Sequence, residues 1–339
     1  GSGDRAVPEM TLSTTRPGAR ERDPAAAARR RALIVLLALL CLLPLAVNNY
    51  VQFVVNTMLV YCLVAVGFNV VLGYLGQLAF ANAAFFGIGA YAAGLSMVHW
   101  GVSGPVGIAL GGAAGAVLGF VVGLPALRVK GYYLAIATLA VGELMRWVYV
   151  HNDAITFGPG GFSLPELRLL GMTLDETLKY YVFLFVVTLA IAATSLLLRS
   201  RFGRAFVAIR NNERAAASLG IDGRRMKILA FVWSGMIVGL GGALFALLNG
   251  RVSPDTFGLS QLLMHFAIVM VGGLGSLAGS VIGAVLLTAA PEVFRNLPGL
   301  EEIVFSLMLI LVIFFMPKGV GGLLSDAFPL LRERLYRRP

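Results

Sequence analysis

The chain has 339 residues, of which 58% are hydrophobic and only 13% charged, against about 25% charged in ordinary soluble domains. A mean hydropathy of +0.84 excludes a soluble globular domain of this size, a disordered chain and a disulfide-stapled miniprotein. The expected fold class is all-α, a polytopic transmembrane helical bundle. The formal charge of +10 then becomes a question of sidedness, because cytoplasmic loops of membrane proteins collect Lys and Arg.

A spanning helix needs about 20 mostly apolar residues. Apolar runs between polar or turn-forming breaks predict about ten spans, near 32–48, 51–73, 78–98, 104–125, 131–150, 180–198, 228–249, 262–274, 276–290 and 302–317. The eighth and ninth are short and meet at a Gly-rich break. They read either as two thin spans or as broken, re-entrant pieces. Residues 1–31 carry seven Arg and read as a basic, disordered cytoplasmic tail, not a cleaved leader. Residues 32–317 form the membrane domain and 318–339 a cytoplasmic C-terminal tail. With both termini cytoplasmic, the inner side receives 22 of the 27 Lys and Arg and the outer side four, Arg146 lying within a span. The layout satisfies the positive-inside rule.

Cys41 and Cys62 both lie in apolar runs, which predicts two buried thiols and no disulfide. Polar side chains at membrane depth face the bundle interior or a watery path. Asn56 and Asn69 fall in the second span, Gln77 and Asn82 at the start of the third, Thr138, Glu143 and Arg146 in the fifth, and His265 in the eighth. The amides read equally as interhelical hydrogen-bond partners or as path lining. Glu143 and Arg146, three apart, share a helix face and read as a local ion pair. His265 reads as a satisfied packing residue. No chain of carboxylates runs through the spans, as a proton-driven pump would need. The sequence has no Gly-x-x-x-x-Gly-Lys-Ser/Thr loop, metal-ligand His spacing or nucleophile elbow. An enzyme is therefore not expected, and any energy source must lie elsewhere.

Two segments echo one another. Gly73-Tyr74-Leu75-Gly76-Gln77-Leu78-Ala79 is similar to Gly272-Gly273-Leu274-Gly275-Ser276-Leu277-Ala278. Both follow an apolar run, fall on the cytoplasmic side and lead into small-residue helices. Either Gly-rich membrane turns simply look alike, or a broken-helix element is duplicated. The large cytoplasmic loop, 199–227, holds eight cations and two acids. Asn211 or Asn212 can cap a helix over 213–219 with Glu213 in its first turn, and Gly220 suits the residue that ends it. Phe206, Ile209 and Leu219 supply apolar points on a short element. The loop reads as a membrane-surface anchor or as a knob for a soluble partner.

Asn212-Glu213-Arg214-Ala215-Ala216 followed by Gly220-Ile221 resembles the coupling-loop signature of ABC-importer permeases. Four further blocks resemble the branched-chain amino acid permeases of the LivM/LivH type, closer to LivM. They are Gly76-Gln77-Leu78 through Tyr91; Gly131-Tyr132-Tyr133 through Leu139; Ser253-Pro254 with Phe257 and then Gly272 through Leu277; and Pro317-Lys318-Gly319 with Gly321. The likeness runs in register over about 32–325. It departs at Ala79, where the family often has Ser, and at Ala81-Asn82, often Gly-His. Phe157 stands where Gly is common and Ser280 where Pro is common.

The resemblance implies a permease subunit of an ATP-driven importer in the bacterial inner membrane. Its cargo would be branched-chain, hydrophobic amino acids; related permeases carry urea, short amides or aromatic acids. The implied partners are a second, LivH-like permease, two cytoplasmic ATP-binding subunits of the LivG/LivF kind, a periplasmic binding protein and membrane lipid, with no nucleic acid. No cofactor is expected on this chain, since ATP and Mg would be used by the partner subunits. Coupling would fall to Asn212, Glu213, Ala215, Ala216 and Gly220, and the path to Asn56, Asn69, Gln77, Asn82 and Thr138. The competing classes are a stand-alone carrier or channel and a non-transporting scaffold.

Overall fold

The computed structural model describes residues 35, 38–44, 47–165, 168–169, 172–173, 176–294, 310, 319–320 and 322. The 1–31 tail, most of the first expected span, the tenth and almost all of 318–339 lie outside the described residues. The protein is helical and polytopic, and the expected spans two to nine appear as helices. They are α1 (Asn49–Asn69), α2 (Asn82–Trp100), α3 (Gly104–Gly123), α4 (Tyr132–His151) and α5 (Glu176–Arg199). Two loop helices follow, α6 (Arg201–Asn211) and α7 (Glu213–Ser218), and then α8 (Gly223–Asn249), α9 (Leu259–Gly272) and α10 (Leu277–Phe294). Among the described residues, six helices are long and apolar enough to cross a membrane, while α9 and α10 are shorter apolar helices.

Small residues set the packing of the centre. Gly111, Gly115 and Gly119 on α3 recur at four-residue spacing and meet Phe231, Gly235, Gly239 and Ala243 on α8. A methyl group at Gly115 would collide with the Gly235 carbonyl, and one at Gly235 with the Gly115 carbonyl. Gly89 of α2 meets Gly239, and Gly242 of α8 meets the Phe86 carbonyl. In lipid, association comes from such van der Waals contact, not from hydrophobic burial. α1 lies innermost, packed by α8, α10, α5 and α9.

The two short elements over 262–290 pack along α1. α9 has 14 residues, about 21 Å at 1.5 Å per residue, less than the roughly 30 Å hydrocarbon core. It begins beside Tyr61, half-way along α1, where Gln261 Nε2 donates to Tyr61 Oη at 3.1 Å. It ends beside Asn69, which donates to the Gly273 carbonyl at 3.2 Å. α9 is preceded by the strand Arg251–Val252 and the 3-10 turn Pro254–Phe257. α10 then returns along α1: Ser280 meets Asn69, Val281 meets Cys62, and Glu292 accepts from Tyr50 Oη. The two helices therefore form an antiparallel pair along α1, α9 beside its second half and α10 along most of its length.

Long-range polar contacts respect the two-sided layout. Arg210 bonds the Gly73 carbonyl and Lys130 pairs with Glu213, all inner residues. Phe162–Ser163 pairs antiparallel with Arg251–Val252, and Arg146 pairs with Asp255, all at the outer end. Cys62 is buried as expected, but Cys41 is exposed, and both thiols are free. Cys41 lies on the peripheral 38–44 helix, tied to the bundle through its carbonyl, which accepts from Tyr181 Oη at 2.9 Å.

Candidate functional site

The 199–227 loop is two helices, not one. α6 begins at Ser200, whose hydroxyl accepts from the Phe202 amide at 3.1 Å. Its apolar face is the pair Phe206 and Ile209, both buried. Leu219, grouped with them on sequence, instead stands 80% exposed at the end of α7. The cap of α7 is Asn212, whose Oδ1 accepts from the amides of Arg214 at 3.0 Å and Ala215 at 3.1 Å. At its other end Gly220 takes φ +80. The Gly220 amide reaches the Ala217 carbonyl and the Ile221 amide the Ala216 carbonyl, at 3.0 and 3.1 Å. This paired closure needs a left-handed residue, the conformation glycine adopts without a Cβ penalty. Ala216 faces inward and is buried, whereas Ala215, Ala217 and Leu219 form the outward face.

Glu213 holds the loop against the bundle. Its two carboxylate oxygens bond Lys130 Nζ and Lys227 Nζ, each at 2.7 Å. Lys130 lies in the α3–α4 turn, and Lys227, only 2% exposed, at the base of α8. Burial opposes ionisation of Glu213, but the hydrogen bonds and charges of the two lysines outweigh it and hold the carboxyl below its usual range. Neither lysine carried a sequence signal of this role, since Lys130 is remote in the chain and Lys227 opens a span.

A second tie leads inward. Arg210, at the end of α6, donates to the Gly73 carbonyl, and its stem covers Gly76, where a Cβ would stand 2.6 Å away. Gly73 lies in the π-turn Val70–Leu75 that ends α1, and Gly76 closes it at φ +73. Asn69, one turn earlier, is buried and spends its whole amide on the other Gly-rich turn. Nδ2 lies 3.2, 3.0 and 2.6 Å from the Gly273 and Ser276 carbonyls and Ser280 Oγ. Its Oδ1 accepts from the Gly275 amide at 2.9 Å. The echoed segments thus touch one another, and Asn69 joins them. Ser280, where the resembled family often has Pro, supplies one of these partners.

The other expected path residues are placed as follows. Thr138 Oγ1 accepts from the Phe80 amide at 2.7 Å and satisfies the α1–α2 connection. Asn82 is buried, with Nδ2 3.0 Å from His265 Nδ1; His265 Nε2 in turn lies 3.0 Å from Gln261 Nε2. Asn82 Oδ1 and Asn56 Oδ1 are buried with no partner among the described residues. Gln77 is half-buried in the α1–α2 connection. Asn69 and Thr138 therefore bind backbone, while among the expected path residues Asn56 and Asn82 each keep a buried amide oxygen without a partner among the described residues, as does Gln52 nearby in the chain. At the outer end, Phe157 adopts φ +61, a strained setting for a non-glycine residue, stacked against His99 with centroids 5.5 Å apart. No group of His, Cys, Asp and Glu among the described residues could hold a metal ion.

A polytopic bundle whose inner loop is capped, pinned and presents a small outward face has the build of a membrane transport subunit. The chain matches the family described as branched-chain amino acid transport system, permease component, over residues 50–316, and it belongs to that family of permeases. It is 33% identical over 313 residues to the high-affinity branched-chain amino acid transport system permease protein LivM of Escherichia coli K12, covering 85% of this chain and 74% of that protein. It is 27% identical over 301 residues to BraD of Pseudomonas aeruginosa, covering 81% and 97%. It is also 27% identical over 283 residues to LivH of Escherichia coli K12, covering 77% and 91%. No solved structure matches the chain.

Proposed function

We propose that this permease is one of two homologous membrane subunits of an ATP-driven importer of branched-chain amino acids in a bacterial inner membrane. Two cytoplasmic ATP-binding subunits dock on 199–227, and a periplasmic binding protein meets the outer segments 151–178 and 250–261. The chain holds no cofactor of its own; ATP and Mg serve the partner subunits. The observation that carries this reading is the pinned loop. An outward face of Ala215, Ala217 and Leu219 admits a groove of a soluble partner, while Glu213 and Arg210 bind the same element to three membrane helices.

The geometry suggests how closure of the ATP-binding subunits would move the path. A push on α7 is delivered through Glu213 to the α3–α4 turn and to α8. A push on α6 is delivered through Arg210 to the turn at the end of α1, and Asn69 passes it to the α9–α10 turn. Such a device switches between two packings, each favoured by a different state of the partner. Asn212 and Gly220 keep α7 short and stiff, and Ala215 and Ala216 keep it slim on both faces. Asn56 and Asn82 are the path candidates.

The test is ATP hydrolysis and uptake by the reconstituted complex with leucine, urea, short amides and aromatic acids offered in turn. Leucine-stimulated hydrolysis with co-purifying ATP-binding subunits supports the reading. Stimulation by another of these cargoes moves the substrate and keeps the class. Vanadate-insensitive flux by this chain alone sinks it.

A further inference from the structure

The two most exposed long helices differ in what they expose. α5 presents Leu178, Phe185, Leu189 and Leu196, and from Tyr180 to Leu198 it carries no charge. It suits lipid. α4 presents Ile136, Leu144 and Trp147, but Glu143 and Arg146 share that exposed side. Charged side chains facing lipid are costly and rare. The α4 face therefore borders water or a polar partner.

Arg146 is only loosely engaged there. Nη1 stands 3.5 Å from Glu143 Oε2 and Nη2 3.6 Å from Asp255 Oδ1, beyond the roughly 2.7–2.9 Å of a strong charge-assisted hydrogen bond. Its Nε is buried without a partner among the described residues. Asp255 and Phe257 belong to the 3-10 turn that precedes α9. Beneath that turn the Phe257 ring meets Tyr91 and Tyr149, which stack with centroids 4.0 Å apart. The hydroxyls of both tyrosines are buried and likewise lack a partner among the described residues. Unmet polar groups inside a protein are costly, and three of them collect around this segment. The trio itself offers one cation between two anions on an apolar, aromatic ground.

We propose that Glu143, Arg146 and Asp255 form an outer subsite for the charged head of a zwitterionic amino acid. Arg146 takes the carboxylate, the two acids take the ammonium, and the side chain lies along Leu144 and Trp147. The proposal rests on the reading that the cargo is an amino acid, and it assigns recognition to this chain as well as to a binding protein.

The experiment is equilibrium binding of radiolabelled leucine to the whole complex in lipid nanodiscs, without nucleotide or binding protein. 3-Methylbutylamine, which lacks the carboxylate, and 4-methylpentanoate, which lacks the ammonium, serve as competitors. Saturable leucine binding is expected, with each analogue at least tenfold weaker. Arg146→Met should weaken leucine at least tenfold yet leave the amine unchanged, so that the two bind alike. Asp255→Asn, at an exposed side chain, should weaken leucine and the amine about threefold or more and spare the acid. Absence of saturable binding, or variants that weaken leucine and both analogues equally, overturns the subsite and leaves a latch between α4 and the turn. ATP-driven leucine uptake by that same complex would still stand, separating this failure from failure of the proposed function.

Discussion

Two charged trios sit at opposite ends of the bundle with opposite composition. The inner one, Lys130–Glu213–Lys227, places one acid between two bases at 2.7 Å on each side, with Lys227 buried. The outer one, Glu143–Arg146–Asp255, places one base between two acids at 3.5 and 3.6 Å, with all three side chains at least 40% exposed. The inner trio is tight, each lysine meeting one carboxylate oxygen of Glu213. The outer trio is looser, and it carries the proposed subsite. The trios differ in composition, in distance and in the burial of one member, Lys227.

The strongest test of this contrast is Glu213→Ala. It leaves Lys227 buried without its carboxylate, and breaking a buried pair costs about 3–5 kcal/mol. Partial exposure of Glu213 lowers the expected loss to about 2–3 kcal/mol, readable as a drop in thermal midpoint, with uncoupled ATP hydrolysis in the complex. Next comes Asn69→Ala, which strands the Gly275 amide and removes one donor from the Gly273 and Ser276 carbonyls, each of which keeps a backbone donor. At about 1 kcal/mol per hydrogen bond the loss is about 2 kcal/mol, and uptake should fall further than hydrolysis. If hydrolysis and uptake fall in step, the tie between the two turns transmits nothing.

The pH dependence sharpens the inner half. Because the Glu213 carboxyl is held below its usual range, its contribution is full above about pH 4.3, where an unfolded glutamate titrates. It is lost as pH falls through the lower folded value. The thermal-stability gap between the native chain and Glu213→Gln should therefore close on acidification below that point; a gap constant from pH 7 to pH 3 would refute the assignment. The smallest effect belongs to the outer trio. Asp255→Asn should shift stability by no more than about 0.5 kcal/mol, as exposed pairs do. A larger loss would make the outer trio structural too.

Much of this was legible from the sequence. Eight of the expected spans are helices within a few residues of their predicted ends, because long apolar runs bounded by Gly and charge have few other solutions in lipid. Asn212 and Gly220 announced their ends of α7 through local backbone chemistry, although Phe206 and Ile209 belong to a separate helix. Pairings at long range were hidden. Asn69 and Gly275 are 206 residues apart, and an amide within an apolar run gives no sign whether it will meet backbone or substrate. Ala216 could not be told from Ala215 by type, only by which side of a six-residue helix it occupies. The strand and 3-10 turn that precede α9 were visible only as a shortage of apolar residues.

The glycine seam between α3 and α8 bears on how the protein is made. α3 is complete at residue 123 and α8 begins at residue 223, so about a hundred residues must be synthesised before the second side of the seam exists. At roughly 5–20 residues per second, the notched face of α3 waits in the bilayer for about 5–20 seconds. During that time it can be covered only by lipid, by α2 or by the insertion machinery. A chain arrested at Ser218 should therefore label readily from a lipid-soluble photoprobe at Gly115, and the finished protein should not. Among the described residues, α8 is the last of the six long apolar helices in chain order, and it locks the earlier pair, making order of arrival part of the fold.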